Sequence, residues 1–190
     1  MNVVIIPAKK FSSRLANKNM LMINGQPMLY WTVKYALEMA RKEMVFVSSD
    51  SLEICEFAKS LGVGSIHRPP YLTGDVPILD VYRHSVVFLE ASKICDQISV
   101  LIGLQPDHPD RRISLKEAYD IFKERGLDRL SSKDAAGEKN GAHYILSRHF
   151  VDWAESRQEY TITDDCTNVH FEKDLISAKK FLEENFNCTR

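Results

Sequence analysis

The sequence contains, close to its first residue, a short run of apolar, β-branched side chains. Val3, Val4, Ile5 and Ile6 follow one another without a polar break, and Pro7 ends the run. A strand buried on both faces of a sheet has such a continuous pattern, whereas a strand with one solvated face alternates. We therefore predict that this run is a central strand of a largely parallel sheet.

Helical and strand-like patterns alternate along the rest of the chain. Pro27 opens the first helical pattern, in which Met28, Trp31, Tyr35 and Met39 recur at helical spacing. The patterns predict further strands at 44–48, 64–67, 97–102, 142–146 and 167–171, and further helices at 51–59, 79–91, 114–123, 150–153 and 172–184. This alternation predicts a three-layer, Rossmann-like α/β fold, with a mostly parallel central sheet and helices on both faces. Such sheets bind ligands outside the carboxyl ends of their strands.

One polar segment interrupts the alternation. Residues 131–141 are small and hydrophilic, so we predict an exposed loop there. A chain of 190 residues has room for one domain with a substantial core, and we expect residues 1–190 to form a single domain.

Charge and cysteine content narrow the class of function. The formal net charge of -1 argues against broad electrostatic binding to nucleic acid or to an anionic membrane. The first residues lack the features of a signal peptide, and no apolar stretch approaches bilayer-spanning length. The cysteines are scattered without a Cys-x-x-Cys pair, which indicates neither a zinc site nor a disulfide framework. We expect a cytoplasmic protein with reduced thiols.

The segment after the first strand is locally cationic. Lys9, Lys10, Arg14 and Lys18 lie there among serine and asparagine residues. Lysine, arginine and backbone amides together suit a polyphosphate, and the segment leaves the carboxyl end of a strand. On charge alone a solvated basic loop is an equal explanation, and position in the fold favours the phosphate site. The glycine-rich patterns of the P-loop and of the dinucleotide-binding fold are both absent from the sequence.

Several short blocks make this interpretation more specific. They are Ile5-Ile6-Pro7-Ala8-Lys9, Arg14-Leu15, Lys18-Asn19, Asn24-Gly25-Gln26-Pro27-Met28, Val47-Ser48-Ser49-Asp50, Arg68-Pro69-Pro70-Tyr71-Leu72-Thr73-Gly74-Asp75, Leu104-Gln105-Pro106 and Asn140-Gly141-Ala142-His143-Tyr144-Ile145. In this order the blocks resemble the sugar cytidylyltransferases, and most of all the acylneuraminate (sialic acid) branch. They span nearly the whole chain, which argues against coincidence. The resemblance implies the nucleotide-diphospho-sugar transferase version of the α/β fold.

The resemblance also implies a reaction. A sugar hydroxyl would attack the α-phosphate of CTP and release pyrophosphate, with cations and a Mg²⁺ ion neutralising the phosphate charge. CTP and an acidic sugar, either sialic-acid-like or another 2-keto sugar acid, would be the ligands. The implied roles are catalysis by Lys18 and Arg14, nucleotide binding by Lys9, Ser12, Arg14, Lys18, Asn19, Arg68 and Asp75, and sugar binding by Gln105 and Asn140.

The chain departs from the family pattern in two loops. Lys10 and Phe11 replace two glycines, so a positive φ or a very close approach to a phosphate would be harder at these positions. The family also has an arm of several tens of residues that pairs subunits and covers the sugar, where only segment 131–139 remains here. A homodimer is the one protein partner that the resemblance suggests, and this shortening argues against it.

The metal ligands differ as well. Asp107 falls on an aspartate that binds magnesium in the related deoxyoctulosonate cytidylyltransferases, and a carboxylate suits that ion. Asn168 and His170 replace two metal-binding aspartates of the family, and neither brings negative charge to a metal. The candidate metal ligands are therefore Asp107 and His170.

Simpler structural explanations exist for several of these residues. Arg68 could be an exposed turn residue, Gln105 could cap its strand, and Asn140 could belong to a turn. Either Asp50 or Ser51 would cap the helix that follows, and Asp50 is better explained as such an N-cap than as a ligand. Two other functions stay open. One is a regulatory homologue without catalysis, which the replacement of the family's glycines and aspartates favours. The other is a glycosyltransferase, against which the absence of a central Asp-x-Asp motif from the sequence argues.

Overall fold

A seven-stranded sheet forms the centre of the computed structural model, which describes residues 1–12 and 15–186. The strands follow the order β5-β4-β1-β6-β8-β7-β9 across this sheet. They are β1 (Asn2–Pro7), β4 (Val45–Ser49), β5 (Gly64–His67), β6 (Val100–Gly103), β7 (Arg129–Lys133), β8 (Lys139–Ser147) and β9 (Glu159–Thr163). Two further short strands, β2 (Met22–Ile23) and β3 (Gln26–Pro27), pair with each other outside it.

The strand directions agree with the predicted fold class. β1 lies between β4 and β6 and is parallel to both, and β4 is parallel to β5. β8 is antiparallel to β6 and β7, and β9 is parallel to β7. The mostly parallel sheet and the central position of the first strand are therefore confirmed.

Helices cover both faces of the sheet. They are α1 (Met28–Leu37), α2 (Leu52–Ser60), α3 (Ile78–Ala91), α4 (Leu115–Glu124), α5 (Arg148–Trp153) and α6 (Glu172–Phe186). Successive side chains of β1 point to opposite faces, so Val4 and Ile6 pack with α1, α2 and α4, whereas Val3 and Ile5 pack with α3 and α5. Helix α6 packs on α1 and on β2 in a third cluster. Within the described residues, these helices are too short or too polar to cross a membrane.

The prediction of an exposed loop over residues 131–141 is correct for the turn at 134–138 and wrong at both ends. β7 and β8 form a hairpin there, and Ser132 is buried within it. The Ser132 hydroxyl donates to Asn140 Oδ1 at 2.6 Å and accepts from the backbone N–H of His143 at 2.9 Å. These hydrogen bonds satisfy the polar groups inside the sheet, so a polar sequence is buried at little cost.

The strand predicted at 167–171 is also wrong. Those residues have no regular secondary structure, and the last strand of the sheet is β9, at its edge. Ile162 is the one buried residue of β9, so the strand lacks the apolar content that would have predicted it.

Candidate functional site

A cavity of about 470 Å³ opens beside the carboxyl ends of β1, β5 and β6. This volume is within the range of small-molecule sites, and the position is where an open α/β sheet binds ligands. The predicted site residues that line it are Lys9, Ser12, Lys18, Asn19, Arg68, Asp75, Gln105, Asp107 and His170. The fold thus brings together residues that are far apart in the sequence.

Two further predicted residues are Arg14 and Asn140. Arg14 lies outside the described residues. Asn140 does not line the cavity. It lies within β8, not in a turn, and its Nδ2 donates to the backbone oxygen of Asp164 at 2.7 Å, while its Oδ1 accepts from Ser132. The contacts of Asn140 are therefore those of a buried structural residue.

Lys18 and Asp107 form an ion pair at the cavity wall. Lys18 Nζ lies 2.7 Å from Asp107 Oδ2 and donates a second hydrogen bond to the backbone oxygen of Val169 at 3.0 Å. His108 Nδ1 lies 3.1 Å from Asp107 Oδ1, although the two atoms are not aligned for a hydrogen bond. Burial alone would raise the pKa of Asp107, but His108 and Lys18 outweigh burial and hold this pKa well below its usual value. The Asp107 side chain is therefore a carboxylate at neutral pH.

Arg68 presents unused hydrogen-bond donors at the same cavity. Its side chain is 3% exposed, Nη1 donates to the backbone oxygen of Leu72 at 3.3 Å, and Nη2 lies 3.8 Å from Asp50 Oδ1. Nε and Nη2 are buried without a hydrogen-bond partner, and burial lowers the pKa of Arg68 against the attraction of Asp50. A buried guanidinium with free N–H groups suits an anionic ligand. The alternative that Arg68 is an exposed turn residue is wrong.

The interpretation of Asp50 as the N-cap of α2 is also wrong. Ser51 caps α2, since its hydroxyl accepts from the backbone N–H of Ile54. Asp50 instead accepts from the backbone N–H of Lys10 at 2.7 Å and faces Arg68. Asp50 therefore links the first loop to the buried arginine, a role that the helix-start pattern concealed.

Lys10 and Phe11, which stand where the family has glycines, have ordinary backbone conformations with a negative φ. Among the described residues between β1 and α1, only Asn17 and the Asn24-Gly25 turn have a positive φ, and neither Lys10 nor Phe11 does. The loop is held by Asn19, whose Nδ2 donates to the backbone oxygen of Lys9 at 2.8 Å. The expected conflict between these side chains and a positive φ does not arise in this structure.

A pair of exposed charges lies at the rim of the cavity. Lys9 Nζ is 2.6 Å from Asp75 Oδ1, and 86% of the Asp75 side chain is exposed. An ion pair this exposed contributes little to stability, so Lys9 can exchange Asp75 for a ligand at small cost.

The donor set for a metal is sparse. Among the described residues, no three His, Cys, Asp or Glu side chains are grouped closely enough to hold an ion. Asp107 Oδ1 and Asn168 Oδ1 are both buried, and neither accepts a hydrogen bond. The two residues lie near each other, because the N–H of Val169, which follows Asn168, donates to the backbone oxygen of Asp107. Mg²⁺ in nucleotide sites commonly takes one or two carboxylates, with phosphates and waters completing its coordination. The Asp107 carboxylate at the cavity wall fits that pattern.

Arg111, which is not among the predicted site residues, supports the loop that carries Gln105 and Asp107. Its buried guanidinium donates to the backbone oxygen of Gln105 at 2.6 Å and to that of Ala142 at 3.0 Å. In the sequence, the one indication of a special role for Arg111 is the pair of adjacent arginines, Arg111-Arg112, in the loop after a predicted strand.

Comparison with known proteins identifies the family. A family model described as "Cytidylyltransferase" matches residues 3–97, which is 95 of the 190 residues. The chain belongs to the cytidylyltransferase family. The resemblance found in the sequence blocks is therefore confirmed.

Relatives of this chain are named for different sugar acids. The N-acylneuraminate cytidylyltransferase of Streptococcus agalactiae serotype III is 39% identical over 149 residues, covering 76% of this chain and 35% of the relative. The chain thus spans about a third of that relative's length. The 3-deoxy-manno-octulosonate cytidylyltransferase of Wigglesworthia glossinidia brevipalpis is 25% identical over 180 residues, covering 86% of this chain and 70% of the relative.

Solved structures share the fold. A CMP:2-keto-3-deoxy-manno-octonic acid synthetase complexed with CTP superposes with a TM-score of 0.76 and 15% identity, over 97% of this chain and 99% of that one. A Mycobacterium tuberculosis protein solved as a manganese complex has a TM-score of 0.62 and 11% identity, over 94% of this chain and 97% of that one. At these identities the likeness establishes the fold alone.

Proposed function

We propose that the chain binds CTP in the cavity described above and transfers CMP to an acidic 2-keto sugar, releasing pyrophosphate. The observation that carries this proposal is the convergence of Lys9, Lys18 and Arg68 on one cavity, in a chain of the cytidylyltransferase family. Three cations around a single cavity suit a triphosphate in a chain whose net charge is close to zero.

Lys18 has the capacity to bind a phosphate without giving up its present partners. An ammonium group offers three N–H donors, and Asp107 and the Val169 carbonyl use two of them. The third remains for a phosphate oxygen of the nucleotide. Arg68 supplies Nε and Nη2 on another wall, which supports its proposed contact with the nucleotide.

The proposed reaction is an in-line displacement at the α-phosphorus of CTP. The oxygen of a sugar hydroxyl forms the new P–O bond, the bond between the α-phosphorus and the bridging oxygen breaks, and pyrophosphate leaves with that oxygen. The hydroxyl proton passes to the surrounding water. Reactions of this type depend on positioning and charge neutralisation, which Lys18 and its neighbours Lys9 and Arg68 supply.

We assign the candidate magnesium site to Asp107. Its carboxylate would be one oxygen ligand, and His170 lies at the same cavity. When bound, Mg²⁺ would neutralise phosphate charge and orient the triphosphate.

The acceptor class follows from what the relatives have in common. One is named for an acylneuraminate and the other for a deoxyoctulosonate, and both of these are 2-keto acid sugars. Gln105 follows β6 and lines the cavity, and its amide supplies both a donor and an acceptor for sugar hydroxyls. We propose Gln105 as the residue that contacts the acceptor.

The decisive experiment measures pyrophosphate release with CTP, Mg²⁺ and a panel of 2-keto acid sugars, with ATP, GTP and UTP in parallel. We expect release with CTP and at least one acceptor, and its loss in Lys18→Met. The matched control is Lys116→Met, because Lys116 is an exposed lysine that pairs with Asp120 on α4, away from the cavity. An absence of both CTP binding and turnover overturns the proposal. Binding without turnover would favour the regulatory homologue instead, for which the lost aspartates at Asn168 and His170 already argue.

A further inference from the structure

Arg111 joins three segments of the fold through its side chain. Nη2 donates to the backbone oxygen of Gln105 at 2.6 Å, and Nη1 donates to that of His108. Nε donates to the backbone oxygen of Ala142 in β8 at 3.0 Å, and Nη1 also donates to Thr32 Oγ1 in α1 at 3.0 Å. Both ends of the turn 105–108 are thereby fixed to β8 and to α1.

The arginine fork is what makes this arrangement possible. A guanidinium holds five N–H donors in one plane, whereas an ammonium has three donors around a single atom. Acceptors that lie on separate sides of the planar group are therefore within reach of arginine but not, all at once, of lysine. Arg111→Lys consequently keeps the charge and releases part of the turn.

Arg111 is buried without a close ion pair in the part of the chain that the structure describes, and burial lowers its pKa. Within the described residues, no carboxylate oxygen lies within salt-bridge distance of the guanidinium, which instead sits 5.1 Å from the ring centre of Tyr35. Tyr35 Oη donates to the Ile113 carbonyl and lies 2.7 Å from His143 Nε2, and His143 Nδ1 faces Asp164 Oδ2 at 3.5 Å. Removing the arginine therefore leaves no directly paired anion behind, and its main effect falls on the carbonyls that it holds.

Gly141 provides space for the side chain of the same glutamine. A Cβ at Gly141 would lie 2.7 Å from Gln105 Oε1 and 3.0 Å from its Nε2, and the φ of Gly141 is +77°. The amide of Gln105 therefore lies directly against the backbone of β8, next to Ala142, whose carbonyl Arg111 binds. Arg111 fixes the main chain of Gln105, and Gly141 leaves room for its side chain.

We infer that Arg111 is a positioning residue, which holds Gln105 and the turn 105–108 in the orientation that receives the acceptor sugar. This inference rests on the proposed function. Arg111 is absent from the cavity lining, so any effect on the reaction passes through Gln105 and its turn. A displacement of about 1 Å in a positioning group costs on the order of 100-fold in rate, so Arg111 has a large effect without touching substrate.

The kinetic test compares Arg111→Lys with Arg112→Lys. Arg112 is the adjacent arginine, but its contacts are with Asp110 at 3.1 Å and with the ring of Phe181.

For Arg111→Lys we expect kcat/KM for the acceptor to fall by about tenfold or more while the Kd for CTP stays within about twofold. Asp107, which lies in the same turn, is held independently by Lys18 and by the N–H of Val169. Arg112→Lys should leave both constants close to those of the wild type. A change in CTP affinity equal to the change for the acceptor would indicate a general structural role and overturn the inference.

A second readout does not depend on turnover. The side-chain amide of Gln105 gives NMR signals that are assigned by their loss in Gln105→Ala. We expect these signals to move toward the positions of a solvent-exposed amide in Arg111→Lys and to stay in place in Arg112→Lys. If the wild type shows no cytidylyltransferase activity, the proposed function fails, and this measurement alone decides whether Arg111 positions Gln105.

A milder variant covers the case in which Arg111→Lys does not fold. Thr32→Val removes one partner of Nη1 and preserves the shape of the side chain. It should shift the Gln105 signals in the same direction by a smaller amount. Unmoved Gln105 signals in every folded variant would overturn the inference.

Discussion

The Lys18 ammonium lies 2.7 Å from the Asp107 carboxylate, with 10% and 15% of the two side chains exposed. These residues are 89 positions apart in the sequence and come together at the cavity because β1 and β6 are adjacent and parallel. Removing one member of such a pair leaves the other as a poorly solvated charge. The pair therefore links the stability of the cavity wall to its proposed role in binding the triphosphate.

We expect Lys18→Met to lower both stability and nucleotide affinity. The lost pairing should cost about 3 kcal/mol of unfolding free energy, since Asp107 is then buried without a counterion. The double variant Lys18→Met with Asp107→Asn should recover part of that free energy while still failing to bind CTP. Urea denaturation measures the first effect, and titration calorimetry with CTP and Mg²⁺ measures the second.

The exposed lysine variant Lys116→Met serves as the control for both measurements, and it should stay within about 0.5 kcal/mol of the wild type. A double variant that is less stable than Lys18→Met would contradict the view that the uncompensated carboxylate causes the loss. Wild-type CTP affinity in Lys18→Met would remove the lysine from the proposed nucleotide site.

Arg68 provides an independent test of the nucleotide site. We expect Arg68→Lys to weaken CTP binding by about 10- to 100-fold, since an ammonium cannot supply the Nε and Nη2 donors together. Calorimetric titration with CTP is the measurement. The control is Arg83→Lys, because Arg83 is a partly exposed arginine that bonds to the backbone of α5. Equal CTP affinity in Arg68→Lys and the wild type would show that the buried guanidinium is structural.

The central strand, most helices and most of the cavity residues were predictable from sequence. The continuous apolar pattern of β1 reflects burial on both faces, and helical spacing marks α1 through residues such as Met28 and Trp31. The cavity was predictable because parallel strands end at one edge of a sheet. Loops that follow different strands, such as those carrying Lys18 and Gln105, therefore meet there.

The remaining features depend on contacts that a linear pattern does not contain. Ser132 and Asn140 are polar yet buried, since each satisfies the other across the hairpin. Asp50 has the appearance of a helix cap until the fold places it opposite Arg68. Arg111 looks like a surface residue, and only the tertiary structure shows the carbonyls that surround it.

The buried serine of the hairpin gives a prediction about stability. Ser132→Ala leaves the buried N–H of His143 without its acceptor, whereas Asn140 Oδ1 loses one donor and keeps the N–H of Ala142. Leaving buried polar groups unsatisfied costs about 1–3 kcal/mol each, so we expect a loss of roughly 2 kcal/mol in unfolding free energy. Urea denaturation measures it, with Ser60→Ala at an exposed helix end as the control. A loss no larger than that of Ser60→Ala would mean that the serine is not needed to bury this polar sequence.

Glu90 should contribute a part of the stability that disappears in acid. Its carboxylate accepts from the Ile98 N–H at 2.9 Å and from Arg148 Nη1 at 2.6 Å. Burial opposes ionisation, but these two hydrogen bonds outweigh burial and lower the pKa of Glu90 in the folded state. A lowered pKa stabilises the fold above the unfolded-state pKa, which is about 4.3, and that contribution is lost as the pH falls further.

Glu90→Gln should therefore be less stable than the wild type at pH 7, and the difference should shrink as the pH falls below about 4. Unfolding free energies from urea denaturation between pH 7 and pH 3 provide the comparison. Arg148→Met removes one donor to Glu90 and keeps the Ile98 N–H. The slope of its unfolding free energy against pH should therefore lie between the slopes of the wild type and of Glu90→Gln. Parallel curves for Glu90→Gln and the wild type would show that the Glu90 carboxylate binds protons equally in the folded and unfolded states, because only a difference in proton binding changes stability with pH.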